Sequence, residues 1–292
     1  MWRIRSLFTL GVVLALLLVR GEPCFSAEKP LVFFGINLRY SPRAMYSRYQ
    51  PLMDYLTQNT PYRFELKVSR DYREALKDLK DGRTLISSLG DGAFVEAILL
   101  QGAIPIVKPL NEYGQPFYRC AIVVPRNSRI RSIRELEGKH FVFGSHHSIT
   151  GNLIPRFLLQ SAGISIRDLG SLTTLGNHDA VTKAILKGQY DAGSVKDLFA
   201  AKYRHYGLRV LAYSTPLPSV PLVVRRNAPE ALKASVTRAL LRLDPGNPAH
   251  REILHQWDEE FRHGFAAASV RDYREVIAMF QSIPFGCGVR CH

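Results

Sequence analysis

The sequence predicts an α/β fold with two similar lobes joined by a hinge, and three observations support this prediction. Short apolar runs alternate with segments of helical period along most of the chain. The alternation begins with the apolar run at residues 31–36 and starts again near residue 121. No internal repeat or low-complexity stretch interrupts it. Because a strand–helix–strand order favours a mostly parallel sheet with helices on its faces, we expect one such sheet in each lobe.

The first part of the chain supplies this order three times. Residues 31–36 (LVFFGI) are uniformly apolar, as in a buried strand. Leu52, Tyr55 and Leu56 share one face of the helix expected to follow, and Gly82 ends the next predicted helix. The predicted strands are residues 31–36, 64–69 and 84–89, and the predicted helices lie around residues 52–56 and at 71–80 and 93–100.

The same order returns after residue 120, and the chain then becomes helical. Pro125 closes one predicted strand, and a Pro-rich segment at residues 215–218 precedes another. Ligands of α/β folds bind at the carboxyl ends of strands, so a cleft between the lobes is the expected site. The predicted strands are residues 121–124, 140–143, 171–175, 190–193, 208–213 and 220–224, and the predicted helices are 133–136, 148–162, 179–186, 230–243, 249–261 and 270–280.

Composition and charge restrict the class of protein. Hydrophobic residues make up 46% of the chain and charged residues 22%, which is typical of a globular protein and excludes disordered, collagen-like and coiled-coil chains. The 39 Lys and Arg residues exceed the 25 Asp and Glu residues, so the formal net charge is +14. This surplus favours acidic partners such as small anions, nucleic acid or anionic lipid.

The first 27 residues are typical of a secretory signal peptide. Arg3 and Arg5 precede an apolar run at residues 7–19, and Ser26 and Ala27 form a small-residue end. The run is shorter than the about 20 residues that span a bilayer, although an uncleaved N-terminal anchor is an alternative. We expect cleavage after Ala27 and a periplasmic location, which disfavours nucleic acid as a partner.

The segment at residues 143–155 (FGSHHSITGNLIP) is the strongest candidate site. A strand is expected to end there in a polar turn that begins a helix, and a helix N-terminus binds phosphate-like anions through free N–H groups and its dipole. We expect hydroxyl hydrogen bonds to an anion from Ser145, Ser148 and Thr150, although Ser148 also suits a simple N-cap. His147 would strengthen anion binding if protonated. Pro155 predicts a kink in the helix.

Three further loops, and one residue just before a predicted strand, are candidates for ligand binding. Asp91 lies in a glycine turn between a predicted strand and helix, where it is either a helix cap or a ligand contact. Asp179 stands in the same position in the second lobe, with the same two interpretations. Tyr40 belongs to a loop rich in Arg, Tyr and Ser that suits an oxyanion or a solvated surface. Tyr118 directly precedes the strand at residues 121–124 and is also assigned to ligand binding.

The cysteines suggest a minor alternative. Cys287, Cys291 and His292 form C-x-x-x-C-H, which is one residue longer than the C-x-x-C-H of covalent haem attachment. A small disulfide loop, free thiols and a variant haem c site are the alternatives, and we expect no cofactor. Cys120 lies beside a predicted strand and is expected to be a buried thiol.

Taken in order, these segments resemble the phosphate, phosphite and phosphonate substrate-binding proteins of ABC importers, which have the type II periplasmic-binding-protein fold. The resemblance extends from about residue 31 to residue 243. The motifs that carry it are LVFFGIN at 31–37, SSLGDGAFVEA at 87–97, FYR at 117–119, SIRELEGK at 132–139, FGSHHSITGNLIP at 143–155, GNHDAV at 176–181 and YDAG at 190–193.

The resemblance implies an oxyanion held at the start of the helix at residues 148–162. Ser148 and Thr150 correspond to the two serines of the family's Ser-Thr-Ser start. Ile149 stands where the family has threonine, so one hydroxyl donor is missing. Asp179 corresponds to an acid that can meet the amine of aminophosphonates. The resemblance also implies a two-lobed chain, with residues 28–119 plus 219–292 in lobe 1 and 120–218 in lobe 2.

The function expected from these observations is capture of a small phosphorus oxyanion in a cleft between the lobes. The partners would be the oxyanion and an ABC permease in the inner membrane, and the protein would be a monomer without catalytic or nucleic-acid-binding activity. Two alternatives are a ligand sensor of the same fold that signals to a membrane partner and a redox protein that uses the C-terminal cysteines. No metal site is expected.

Overall fold

The alternating apolar runs form two separate sheets with helices packed against them. The computed structural model describes residues 28–282. It contains a six-stranded sheet, a five-stranded sheet and a small two-stranded sheet. We call the six-stranded sheet and its helices the first unit, and the five-stranded sheet and its helices the second unit.

The first unit has the strand order β13-β4-β12-β3-β1-β2. Its strands are β1 Leu31–Asn37, β2 Arg63–Ser69, β3 Ile86–Ser88, β4 Ile104–Pro109, β12 Leu222–Val224 and β13 Phe265–Ala267. Its helices are α1 Pro42–Asn59, α2 Tyr72–Lys80, α3 Asp91–Gln101, α7 Glu230–Leu241, α8 Pro248–His255 and α9 Arg274–Ser282.

The second unit has the strand order β10-β6-β9-β7-β8. Its strands are β6 Cys120–Pro125, β7 His140–Phe143, β8 Ser171–Thr174, β9 Ala192–Lys196 and β10 Leu208–Tyr213. Its helices are α4 Ile154–Ser161, α5 His178–Leu186 and α6 Asp197–Tyr203. Short 3-10 segments lie at Ile133–Leu136, Ile166–Asp168, Arg204–Tyr206 and, in the first unit, at Val270–Tyr273.

The sheets are mixed rather than mostly parallel, which corrects the prediction. In the first unit β1 pairs in parallel with β2 and β3, but β12 lies antiparallel between β3 and β4. In the second unit β7 pairs in parallel with β8 and β9, whereas β6 is antiparallel to β9 and β10. Two of the reversed strands, β6 and β12, are those by which the chain enters the second unit and re-enters the first, so no helix crossover fixes their direction. Strand β13 also runs antiparallel to its neighbour β4.

Two extended segments connect the units. They are β5 Phe117–Tyr118 and β11 Leu217–Pro218, which pair antiparallel with each other. The strands of the first unit lie within residues 31–109 and 222–267, and those of the second within 120–213. The exact boundaries of the lobes and the hinge between them stay predictions.

Apolar packing accounts for the helices on the first sheet. Leu52 and Leu56 of α1 are fully buried against Phe34 and Ile36 of β1, as their spacing predicted. Each fully buried side chain of this size contributes about 1.5–3 kcal/mol. A second cluster joins Phe94 of α3 to residues of the second unit, and this packing brings the N-terminus of α3 to the cleft.

Some elements differ from the sequence prediction. The helix predicted at residues 249–261 ends at His255, and Trp257 instead enters the core beside Tyr55. Strand β4 was not predicted, because its sequence IPIVKP contains two prolines. The sheet accommodates Pro105 at a register shift between β4 and β12. Within residues 28–282, no helix is long and apolar enough to cross a membrane.

Candidate functional site

The turn that follows β7 is folded tightly onto the start of the next helix. The N–H of Gly144 donates to the carbonyl of Gly151 at 2.6 Å, and the Ser194 hydroxyl donates to the same carbonyl at 2.7 Å. A Cβ on Gly151 would lie 2.9 Å from the Cα of Gly144, so this approach requires glycine. We call residues 144–151 the cradle turn.

The helix that begins in the cradle turn is capped by Ser148. Its hydroxyl oxygen accepts from the N–H of Gly151 at 2.8 Å, which confirms the N-cap interpretation. A π-helical turn at Ile149–Leu153 continues into α4. Pro155 therefore lies in the first turn of α4, where its missing N–H is tolerated. The N–H groups of Ile149 and Thr150 have no intrahelical acceptor and point towards the first unit.

The Asp91 carboxylate accepts all of these donors. Its Oδ1 accepts from the N–H of Ile149 at 2.9 Å. Its Oδ2 accepts from the N–H of Thr150 at 2.8 Å and from the Thr150 hydroxyl at 2.7 Å. The Ser148 hydroxyl lies 3.5 Å from the same oxygen. Asp91 and Thr150 are both buried, so the cradle turn holds an oxyanion away from water.

Asp91 reaches the cradle turn because α3 packs directly against it. Asp91 is the first residue of α3, and the adjacent Gly92 has no side chain to keep the two segments apart. A Cβ on Gly92 would lie 1.8 Å from the carbonyl oxygen of His147. Beside this contact, the His147 Nδ1 lies 3.2 Å from the Glu96 carboxylate of α3.

A second charged cluster lies beside the cradle turn. Arg39 and Lys196 both form ion pairs with Glu260, and Arg39 also donates to the Ser88 hydroxyl at 2.9 Å. Burial alone would raise the pKa of the Glu260 carboxyl, but the two cations outweigh it and lower that pKa to about 2. Arg39 and Glu260 belong to the first unit and Lys196 to the second, so the cluster links the two.

A cavity of about 50 Å³ is lined by Arg39, Lys196 and Glu260 of this cluster and by Asp91, and it has room for a few water molecules. Among the described residues, the Asn37 Oδ1 and the His178 Nδ1 are buried there without a hydrogen-bond partner. Burial lowers the pKa of His178 from 6.5 to about 4, despite the nearby Asp91 carboxylate. The neutral imidazole can therefore donate or accept one further hydrogen bond at pH 7.

Comparison with known proteins identifies the family. The family model described as "ABC transporter, phosphonate, periplasmic substrate-binding protein" matches residues 34–273. This chain belongs to that family.

One curated protein and two solved structures are similar to this chain, and the structures share its fold. A protein of Prochlorococcus marinus named "Probable ABC transporter phosphite binding protein PhnD1" is 30% identical over 86 residues, which is 27% of this chain and 29% of that protein. The structure of PhnD1 from P. marinus with methylphosphonate matches with a TM-score of 0.76 at 18% identity, covering 87% of this chain and 98% of that one. A binding-protein component of an ABC phosphonate transporter from Pseudomonas aeruginosa also gives a TM-score of 0.76 at 18% identity and covers 86% of each chain.

Within this phosphonate-binding family member, six of the predicted site residues lie together. Asp91 meets Ser148, Ile149 and Thr150 directly. Ser145 lies within the cradle turn, where its hydroxyl oxygen accepts from the N–H of His147 at 3.4 Å. The turn pattern of the sequence thus located the donors, although the roles of these residues in ligand binding stay predictions.

The other three predicted site residues lie elsewhere. The Asp179 carboxylate is bound by the Tyr203 hydroxyl and by Lys183, and it does not reach the cradle turn. Tyr40 packs against Phe199 across the two units, with ring centroids 6.3 Å apart. Tyr118 is buried in the connecting strand β5 beneath the Lys196 ammonium, which lies 4.7 Å from its ring centroid.

Sequence reasoning did not assign His178, Lys196 and Glu260 to the site. The sequence analysis assigned the adjacent Asp179 instead of His178. Which of these two neighbours faces the cleft depends on how the helix packs, and the local sequence does not show this. Glu260 is distant in sequence from every other member of the cluster, and nothing in its local pattern marks it. Within residues 28–282, no three His, Cys, Asp or Glu side chains are arranged so that they could hold a metal ion. The proposed signal peptide and Cys287, Cys291 and His292 lie outside the described residues.

Proposed function

We propose that this chain captures a small phosphorus oxyanion between its two units and delivers it to an ABC permease in the inner membrane. The observation that carries the proposal is the bound Asp91 carboxylate, because it marks where donors converge on an oxyanion. Phosphonate, phosphite and phosphate all present such oxygens. The family membership and the methylphosphonate in a structural relative support this ligand class.

The donor set suits a phosphorus oxyanion for physical reasons. Two backbone N–H groups and two hydroxyls come from one helix start, where the helix dipole also favours negative charge. Hydrogen bonds to a charged acceptor in a buried site are stronger than those between neutral groups. The Arg39 and Lys196 side chains nearby add positive potential.

The remainder of the proposal concerns partners and location. The net charge of +14 raises the positive potential that gathers anions at the cleft. The protein would act as a periplasmic monomer that binds without catalysis, needs no cofactor and does not bind nucleic acid. Closure of the two units on the ligand would shift the population towards the state that the permease recognises.

Titration of the purified protein with methylphosphonate, phosphite, phosphate, aminoethylphosphonate and sulfate in a calorimeter tests the ligand class. Thr150→Val removes the hydroxyl and keeps the side-chain shape, whereas Thr150→Ser keeps the hydroxyl. Loss of one hydrogen bond to a charged group corresponds to about 1.5–3 kcal/mol, or roughly 10- to 100-fold in Kd. We expect that loss for Thr150→Val with the preferred phosphorus anion, and near-native affinity for Thr150→Ser. No heat of binding with any of the five anions would overturn the proposal.

A further inference from the structure

Asp91 belongs to the first unit, yet its carboxylate fills the donor set of the second. We propose that Asp91 is an internal ligand of the cradle turn, so that an external oxyanion binds only by displacing it. Asp91 would thereby determine both the affinity and the specificity of the site. This inference rests on the proposed function and adds the residue that controls it.

The Asp91 carboxylate accepts hydrogen bonds from every donor that the Ile149 and Thr150 N–H groups and the Thr150 hydroxyl offer. Oδ1 accepts from Ile149 N–H and, at 3.1 Å, from the N–H of Gly92. Oδ2 accepts from both the N–H and the hydroxyl of Thr150. An external oxyanion needs these same Ile149 and Thr150 hydrogens. Two anions cannot share them, so binding of one excludes the other.

Space leads to the same conclusion. Asp91 is only 5% exposed, and the backbone of Gly92 is in contact with the carbonyl of His147. Asp91 is among the residues that line the adjoining cavity, whereas no residue of the cradle turn is, so an anion in that cavity does not reach the donors while the carboxylate is in place. Displacement of Asp91 therefore requires α3 and the cradle turn to separate.

The charges near Asp91 make it a replaceable ligand. Among the described residues, Asp91 forms no ion pair, because Arg39 and Lys196 are paired with Glu260. Its negative charge is stabilised by N–H and O–H donors and by two helix N-termini. A dianionic phosphonate with three oxygens can form stronger hydrogen bonds with these donors than the carboxylate does, whereas a simple carboxylate offers no advantage over Asp91.

An external ligand can bind only those molecules in which Asp91 has left the donors. The apparent affinity of every ligand is therefore its intrinsic affinity multiplied by the fraction of molecules with free donors. A strong oxyanion can still bind, but a weak one such as acetate cannot compete. Removing the Asp91 carboxylate should therefore tighten the binding of methylphosphonate and also admit acetate, which carries the same group that the substitution removes.

The test compares wild type, Asp91→Ala and Glu137→Gln by calorimetric titration with methylphosphonate and, separately, with sodium acetate. Glu137 is an exposed acid in the second unit, so its substitution matches the change in net charge. We expect Asp91→Ala to bind methylphosphonate at least tenfold more tightly than wild type and to gain measurable acetate binding. We expect Glu137→Gln to behave like wild type. Asp91→Asn, which keeps the side-chain volume, should show a smaller gain, and circular dichroism would establish that each variant is folded.

Each outcome separates this inference from the proposed function. Equal or weaker methylphosphonate binding by Asp91→Ala, with measurable binding by wild type, would overturn the inference and leave the proposed function intact. Acetate binding by Asp91→Ala, with no binding of methylphosphonate, phosphite or phosphate by either protein, would support the internal ligand and contradict the phosphorus-oxyanion proposal. Failure of wild type and of folded Asp91→Ala to bind methylphosphonate, together with no acetate binding by Asp91→Ala, would contradict both.

Discussion

Two carboxylates at the cleft, the buried Asp91 and the mostly buried Glu260, are stabilised in different ways. Asp91 is held by hydrogen-bond donors of a helix start, and Glu260 by the paired cations Arg39 and Lys196. An anion that replaces Asp91 breaks hydrogen bonds and forms equivalent ones. An anion that replaced Glu260 would first have to separate two buried ion pairs, which is strongly unfavourable. This difference is why the cradle turn, rather than the cation cluster, is the expected place for an oxyanion.

His178 should make the stability of the protein depend on pH. Because its pKa is about 4 in the folded state and near 6.5 when unfolded, the unfolded chain binds more protons below pH 6.5. Stability from this group is therefore complete above pH 6.5 and is lost as the pH falls towards 4. We expect the melting temperature to fall less between pH 7.5 and pH 5 in His178→Gln than in wild type.

The matched control for His178 is His205→Gln, since His205 is exposed in the second unit. Burial also lowers the pKa of His263, so wild type and both variants should retain the part of the pH dependence that comes from that residue. An equal fall in melting temperature between pH 7.5 and pH 5 for His178→Gln and wild type would contradict the prediction.

At the residue scale, the sequence predicted the hydrogen-bond donors of the cradle turn better than the carboxylate that accepts from them. The Ser148 and Thr150 hydroxyls follow from a local pattern, because a glycine turn before a helix determines where the first N–H groups point. The capture of Asp91 by those donors depends on how the two units meet. That contact lies between residues 57 or more positions apart in the chain, and no local rule describes it.

At the element scale, the contact between α3 and the cradle turn depends on the absence of a side chain at Gly92. Gly92→Ala would place a Cβ 1.8 Å from a backbone oxygen, which cannot move aside as a flexible side chain can. We expect α3 to be displaced and the Asp91 carboxylate to lose its hydrogen bonds. Hydrogen exchange of the Ile149 and Thr150 amides, measured by mass spectrometry, should accelerate at least tenfold.

Gly176→Ala provides the control for this experiment. A Cβ on Gly176 would meet no atom within 4 Å, so the substitution tests glycine replacement without a clash. Unchanged protection of residues 149–150 in Gly92→Ala, or an equal loss in Gly176→Ala, would show that the close approach at Gly92 does not hold the carboxylate in place.

The secondary structure shows the same division between local and distant effects. The strands at His140–Phe143 and Leu208–Tyr213 match the predicted bounds, because each is mostly apolar and is followed by turn residues. Strand β4 was missed, since its prolines are tolerated only through a register shift that its neighbours create. The antiparallel direction of β12 was also not predicted, because it depends on how the chain returns from the second unit.

At the scale of the whole molecule, ion pairs between the units accompany the Asp91 contact. Lys196 and Lys202 of the second unit pair with Glu260 and Glu259 of the first. The pair at Glu260 is the more buried, with 10% of that side chain exposed, against 23% for Glu259. Exposed pairs contribute little because water screens them, so Glu260 should dominate the electrostatic attraction between the units.

Substitution of Glu260 should therefore favour the open form of the protein. Glu260→Gln leaves Arg39 and Lys196 facing each other without an anion, and breaking a buried pair in this way costs about 3–5 kcal/mol. We expect a larger radius of gyration for Glu260→Gln than for wild type by small-angle X-ray scattering in the absence of added anions. Glu259→Gln is the control and should change the radius little. An unchanged radius in Glu260→Gln would contradict this prediction, because other contacts, such as the Lys202–Glu259 pair and the packing of Tyr40 on Phe199, would then be sufficient to hold the units together.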